Sequence, residues 1–83
     1  MKQIIGKYWT ASEKVRLQIS FDSVLREEVI LLLKDWRRIG TGVNPDKNET
    51  IFIFENNLEK TVQLIEKKTI QNQKLIINLE EAK

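Results

Sequence analysis

The chain has 83 residues, a formal net charge of +2 and a sequence pI near 9.0. It contains neither cysteine nor histidine. Disulfides, thiolate nucleophiles and cysteine metal sites are thereby excluded, along with the commonest general base and zinc ligand, so few catalytic inventories remain.

Hydrophobic residues make up 41% and charged residues 31%, the composition of an ordinary soluble globular domain of one unit. No run approaches the ~18 apolar residues of a membrane span. The start, Met1-Lys2-Gln3-Ile4-Ile5-Gly6, is too short and soon too polar for a signal peptide, so no membrane role and a cytoplasmic location are expected.

Residues 4 to 10, Ile-Ile-Gly-Lys-Tyr-Trp-Thr, are rich in strand formers. Residues 14 to 21 alternate: Val15, Leu17, Ile19 and Phe21 fall on one side, Lys14, Arg16, Gln18 and Ser20 on the other. The two segments predict an N-terminal hairpin over 4–21, with Thr10 to Glu13 turning between them.

Residues 23 to 39 form the longest amphipathic segment. Leu25, Val29, Leu32, Trp36 and Ile39 recur at helical spacing, and Leu33 widens the stripe. Asp22 or Ser23 suits the N-cap, Glu27 and Glu28 lie early, Lys34, Arg37 and Arg38 late, and Gly40 follows as a C-terminal glycine. The spacing predicts one main helix over 23–39. Ile30 and Leu31 fall off its stripe. Either neighbours cover the flanks, or the helix shows an apolar patch to a partner.

A short hairpin is expected over 41–54, turning at Pro45-Asp46-Lys47-Asn48. Its second strand, Ile51-Phe52-Ile53-Phe54, is apolar on both sides, which suggests a central position. Asn56 and Glu59 have capping-box spacing ahead of a second helix over 57–69, with a stripe of Leu58, Val62 and Ile65 and Leu64 beside it. Leu75, Ile77 and Leu79 alternate in a final strand over 74–80.

From residue 14 onward the order is βαββαβ, that of a ferredoxin-like α+β plait with both helices on one face of an antiparallel sheet. Residues 4–10 then add an extra N-terminal strand, which extends an edge or exchanges with a second copy. The match is one of element order, and many unrelated functions use that fold.

Four groups of residues bear on function. Arg16, Gln18 and Ser20, with Lys14 at the strand end, should lie on the uncovered sheet face with either Phe52 and Phe54 or Ile51 and Ile53; exposed rings beside cations stack single-stranded nucleic acid. The segment lacks the glycine and basic residue of an RNA-recognition signature, and buried phenylalanines are the commoner outcome. Lys7, Tyr8 and Trp9 interleave a cation with aromatics, as a strand-binding or protein-anchoring surface does; the alternative is that Tyr8 or Trp9 closes one end of the core, and as strand neighbours the two rings cannot both be buried in the same layer. Lys34, Arg37 and Arg38, like Lys67 and Lys68, can contact phosphate or simply answer a helix dipole. The acids Glu27, Glu28, Asp46 and Glu49 match no metal-ligand motif, and Gly40-Thr41-Gly42 is no phosphate loop.

The expectation is a small non-enzymatic interaction or regulatory domain without cofactor, metal or catalytic residues. It binds a protein partner, self-associating as a homodimer, through Ile30, Leu31, Tyr8 and Trp9. The alternative is a single-stranded nucleic-acid-binding domain using Lys7, Trp9, Lys14, Arg16, Gln18, Phe52 and Phe54. A metabolite-sensing dimer is a third class, with no residue that specifically supports it.

Overall fold

A computed structural model describes residues 1–82. The expected hairpin forms from β1 (Lys2–Ala11) and β2 (Lys14–Asp22), closed by Ser12-Glu13 with Ser12 in the left-handed region. Alternation holds through β2: Val15, Leu17, Ile19 and Phe21 are buried and their neighbours exposed. In β1 the inward set is Ile4, Gly6 and Tyr8.

The chain continues through a 3-10 turn (Ser23–Leu25), α1 (Arg26–Leu32), β3 (Arg37–Asn44), a 3-10 turn (Pro45–Lys47), β4 (Glu49–Asn57), α2 (Leu58–Lys67), β5 (Thr69–Gln71) and β6 (Leu75–Glu81). The Pro45 turn ends at Asn48, which is left-handed, as its sequence anticipates. Asp22 caps the first turn by accepting from the Val24 N–H. The two junctions are tied together: the Ser23 N–H donates to the Asn48 carbonyl at 2.8 Å, and the Ser23 and Thr50 hydroxyls lie 2.7 Å apart.

All six strands form one sheet in the order β3-β4-β2-β1-β6-β5. This corrects the expected ferredoxin-like plait. In that arrangement the strand at 14–21 would pair with the final strand. Here β1 lies between them, antiparallel to β2 and parallel to β6. The sheet is therefore mixed, and the N-terminal strand is neither an edge nor free to exchange. Gly6 makes this position tolerable. A Cβ there would meet Ile77 Cγ2 at 3.1 Å, Leu79 Cδ2 at 3.4 Å and Ile19 Cγ1 at 3.5 Å, so side chains from both flanking strands close over a residue that has none.

The main helix is also shorter than its periodicity implies. It ends at Leu32, and Arg37, Arg38 and Ile39 belong to β3 instead. The reason is tertiary. β4 is apolar along its length and needs a ladder on both sides, and β3 supplies one from Arg37↔Glu55 to Asn44↔Glu49, with a bulge at Ile39. Hydrogen bonds lost from the last helical turns are replaced by those of the ladder, and β4 is covered as well.

Both helices pack on one face of the sheet, over a single core that includes Leu17, Ile19, Val29, Leu33, Phe52, Phe54, Leu75 and Ile77. Phe52 lies at its centre, fully buried and edge-on to Phe21 and Phe54. In α2 the buried side is Leu58, Thr61, Leu64 and Ile65; of the expected stripe Leu58, Val62 and Ile65 with Leu64 beside it, Val62 is exposed, and Thr61 takes a buried place. Thr61 can be buried because its hydroxyl donates to the Asn57 carbonyl at 2.9 Å. Asn57, rather than Asn56, is the α2 N-cap, and it makes no side-chain cap bond. The strand β5 falls partly within the predicted second helix, which closes at Lys68.

Lys68 takes the left-handed conformation while its N–H donates to the Leu64 and Ile65 carbonyls. A non-glycine residue there costs about 1 kcal/mol, so Lys68→Gly should raise the melting temperature by roughly 4–8 °C. Phe52→Ala should cost about 3–5 kcal/mol, enough to unfold much of the population. Thermal and urea denaturation followed by circular dichroism check both.

Candidate interaction surface

A strand with one buried face turns its alternate residues the other way. The face opposite the helices therefore carries Lys14, Arg16, Gln18 and Ser20 of β2, Ile5, Lys7 and Trp9 of β1, and Ile51, Ile53 and Glu55 of β4. Strand pairing adds Arg37, Gly40 and Gly42 of β3 and Ile76, Asn78 and Glu80 of β6. No element of the described residues packs over this face. The open pair of β4 is thus Ile51 with Ile53.

The cross-strand rows organise it. Along one row Gly42 is opposite Ile51 and Ile51 opposite Ser20; Ile5 comes next on the same side of β1, followed by its partner Asn78 and then Thr69. This row crosses all six strands without a charge. The adjacent row begins equally neutral, with Gly40, Ile53 and Gln18, and ends with Lys7 opposite Glu80. Ile53 lies over Gly40, where a Cβ would stand 3.3 Å from its Cδ1. Ile5 is 62% exposed, whereas Ile51, Ile53, Trp9 and Ile76 are half-buried among their neighbours.

Charges gather at the two ends. Arg37, Arg16 and Lys14 share one end with Glu55; Asp22 and Glu49, directly opposite one another, form the other. Arg16 Nε is 3.0 Å from Glu55 Oε2, and Lys14 Nζ donates to Asn57 Oδ1 at 2.8 Å.

The predicted interface and nucleic-acid residues separate cleanly. Lys7, Trp9, Lys14, Arg16 and Gln18 do share the open face. Tyr8 does not: it is 6% exposed and belongs to the core, which removes it from any interface. Phe52 and Phe54 are buried beneath the helices and present no ring for a base to stack on. Ile30 is half-buried against the core, and Leu31 is 67% exposed on α1, away from the open sheet face. The sequence reading missed Ile5, Ile51, Ile53, Gly40 and Gly42 as one surface. Alternation places each residue on a face, but only strand order places them side by side.

Among the described residues no group of three or more carboxylate, histidine or cysteine side chains converges as a metal site, and no helix is long and apolar enough to cross a membrane. Because the Arg16–Glu55 pair is exposed to solvent, Arg16→Ala should cost less than about 1 kcal/mol in urea denaturation.

No family model, curated protein or solved structure matches this chain.

Proposed function

We propose that the chain is a non-enzymatic interaction module that pairs with a second copy of itself through the open face of its sheet. The observation that carries this reading is the uncharged row Gly42, Ile51, Ser20, Ile5, Asn78 and Thr69, bounded by charges at both ends of the strands. Interfaces have this anatomy: a centre depleted of charge, where desolvation is cheap, inside a polar rim. A solvated sheet face would ordinarily carry charged side chains along such a row.

The rim supports a second copy as the occupant. One end of the face has the cations Arg37, Arg16 and Lys14 against Glu55 alone, and the other has Asp22 beside Glu49. A two-fold axis running across the strands sets the basic end of each molecule over the acidic end of its mate. It also brings cations to Asp22 and Glu49, which are register partners in the ladder. The glycines at 40 and 42 leave the row flat, so that Ile51 and Ile53 can meet a partner sheet at the usual face-to-face spacing of ~10 Å.

The single-stranded nucleic-acid alternative keeps Lys7, Lys14, Arg16 and Trp9 on one face but loses both phenylalanines, and Arg16 is already paired. It has less to recommend it.

Sedimentation equilibrium at high micromolar concentration tests the proposal. The wild type should be a dimer. Ile53→Lys, which puts a charge in the neutral band, should be a monomer with an unchanged circular-dichroism spectrum. A monomeric wild type would refute self-association. If that monomer also shifts single-stranded oligonucleotides in a salt-sensitive way, the alternative function replaces it.

A further inference from the structure

The sheet is wider than its helices cover. On the helix side of edge strand β3, Arg38 and Val43 remain exposed. Between that strand and α1 runs a groove of about 310 Å³, lined by Arg26, Ile30, Leu33 and Lys34 from the helix and its end, and by Trp36, Arg38 and Phe54. Its volume is at the lower end of small-molecule sites. Arg26, Ile30, Leu33 and Lys34 fall at helical spacing on one side of α1, so the groove wall is a single helix face.

Its charges are of one sign. Arg26, Lys34 and Arg38 line it, and no carboxylate does. Among the described residues the only salt bridge is Arg16–Glu55, on the opposite side of the sheet, so none of these cations has an acidic partner within bridging distance. Two of the cations also share an aromatic neighbour. Arg38 Cζ lies 4.8 Å and Arg26 Cζ 5.7 Å from the centroid of the same Phe52 ring. Three like charges around one groove repel each other, and an anion bound among them removes that cost. Around the cations the lining is flat or apolar: the Trp36 indole, Ile30, Leu33 and Phe54.

We propose that this groove binds a small phosphate monoester carried on a planar ring. The two guanidiniums lining the groove offer forked N–H donors that match phosphate oxygens, and Lys34 adds a third positive charge, suiting a dianion better than a carboxylate. The ring lies against Trp36 and Ile30, which gives the organic ester an advantage over the bare ion. The site is on the helix side of the sheet, so the proposal is independent of the open face and of self-association.

Titration of the ¹⁵N-labelled protein with phenyl phosphate, inorganic phosphate and phenol, followed by NMR, tests it. Phenyl phosphate should shift the Trp36 indole N–H and the Nε–H signals of Arg26 and Arg38, and should bind at least about tenfold more tightly than either inorganic phosphate or phenol. Arg38→Gln should weaken phenyl phosphate by about tenfold or more, and Arg38→Lys should restore only part of the loss, because a point charge lacks the fork. Both variants lie on an exposed strand edge, and their backbone spectra report whether the fold is kept. Three results would overturn the proposal: no shift at Trp36 with millimolar phenyl phosphate, equal affinity for phenyl phosphate and phenol, or unchanged affinity in a folded Arg38→Gln variant.

Discussion

Six strands share one apolar face, and two short helices must cover it. Strands ~4.8 Å apart place the outer pair about 24 Å from one another. Helices of seven and ten residues are only ~10 and ~15 Å long. That mismatch of area governs the molecule. α2 lies against β4, β2 and β5, and α1 against β6, so apolar bulk concentrates over the middle of the sheet, where Phe52, Leu17, Ile19 and Ile77 are fully buried. The edge strand β3 is left with bare surface on its helix side, and the whole reverse face is left to solvent or a partner.

The arrangement of strands follows from which segments demand neighbours on two sides. β4 has buried phenylalanines on one side and half-buried isoleucines on the other, and takes β2 and β3 as its flanks. β1 has Ile4 and Tyr8 to bury but Gly6 between them, and it fits where large side chains of β2 and β6 need room to meet. The two edges go to segments that tolerate exposure. β3 carries two arginines, two glycines and a bulge, and β5 has three residues. Charge, bulges and brevity are the features that blunt a sheet edge against uncontrolled pairing.

The two surfaces of interest are the two places the helices do not reach, and their chemistry differs. On the reverse face, charges of both signs lie at the strand ends and a neutral row runs between them, the pattern of an interface with a macromolecule of similar shape. Beside α1, charges of one sign surround an apolar pocket, the pattern of a small anionic ligand. Phe52 bears on both surfaces: by being buried it is withdrawn from base stacking, and the Arg26 and Arg38 guanidiniums each lie near its ring.

The local pattern alone determined the hairpin at the N-terminus, the alternation of β2, the Pro45 turn, the existence of both helices and the final strand, because each rests on side chains two to four residues apart. It misjudged where the first helix stops, since Trp36, Arg37, Arg38 and Ile39 satisfy a helical stripe and a strand equally well. Only pairing with β4 decides between them. It also left β1 to extend an edge or exchange with a second copy, because nothing within residues 2 to 11 records that β6 will lie alongside, more than sixty positions later. Which residues of β2 face water was legible; which pair of β4 does, and which residues stand next to one another, was not. Adjacency across a sheet is set by strand order, a product of long-range packing that no short stretch of chain contains.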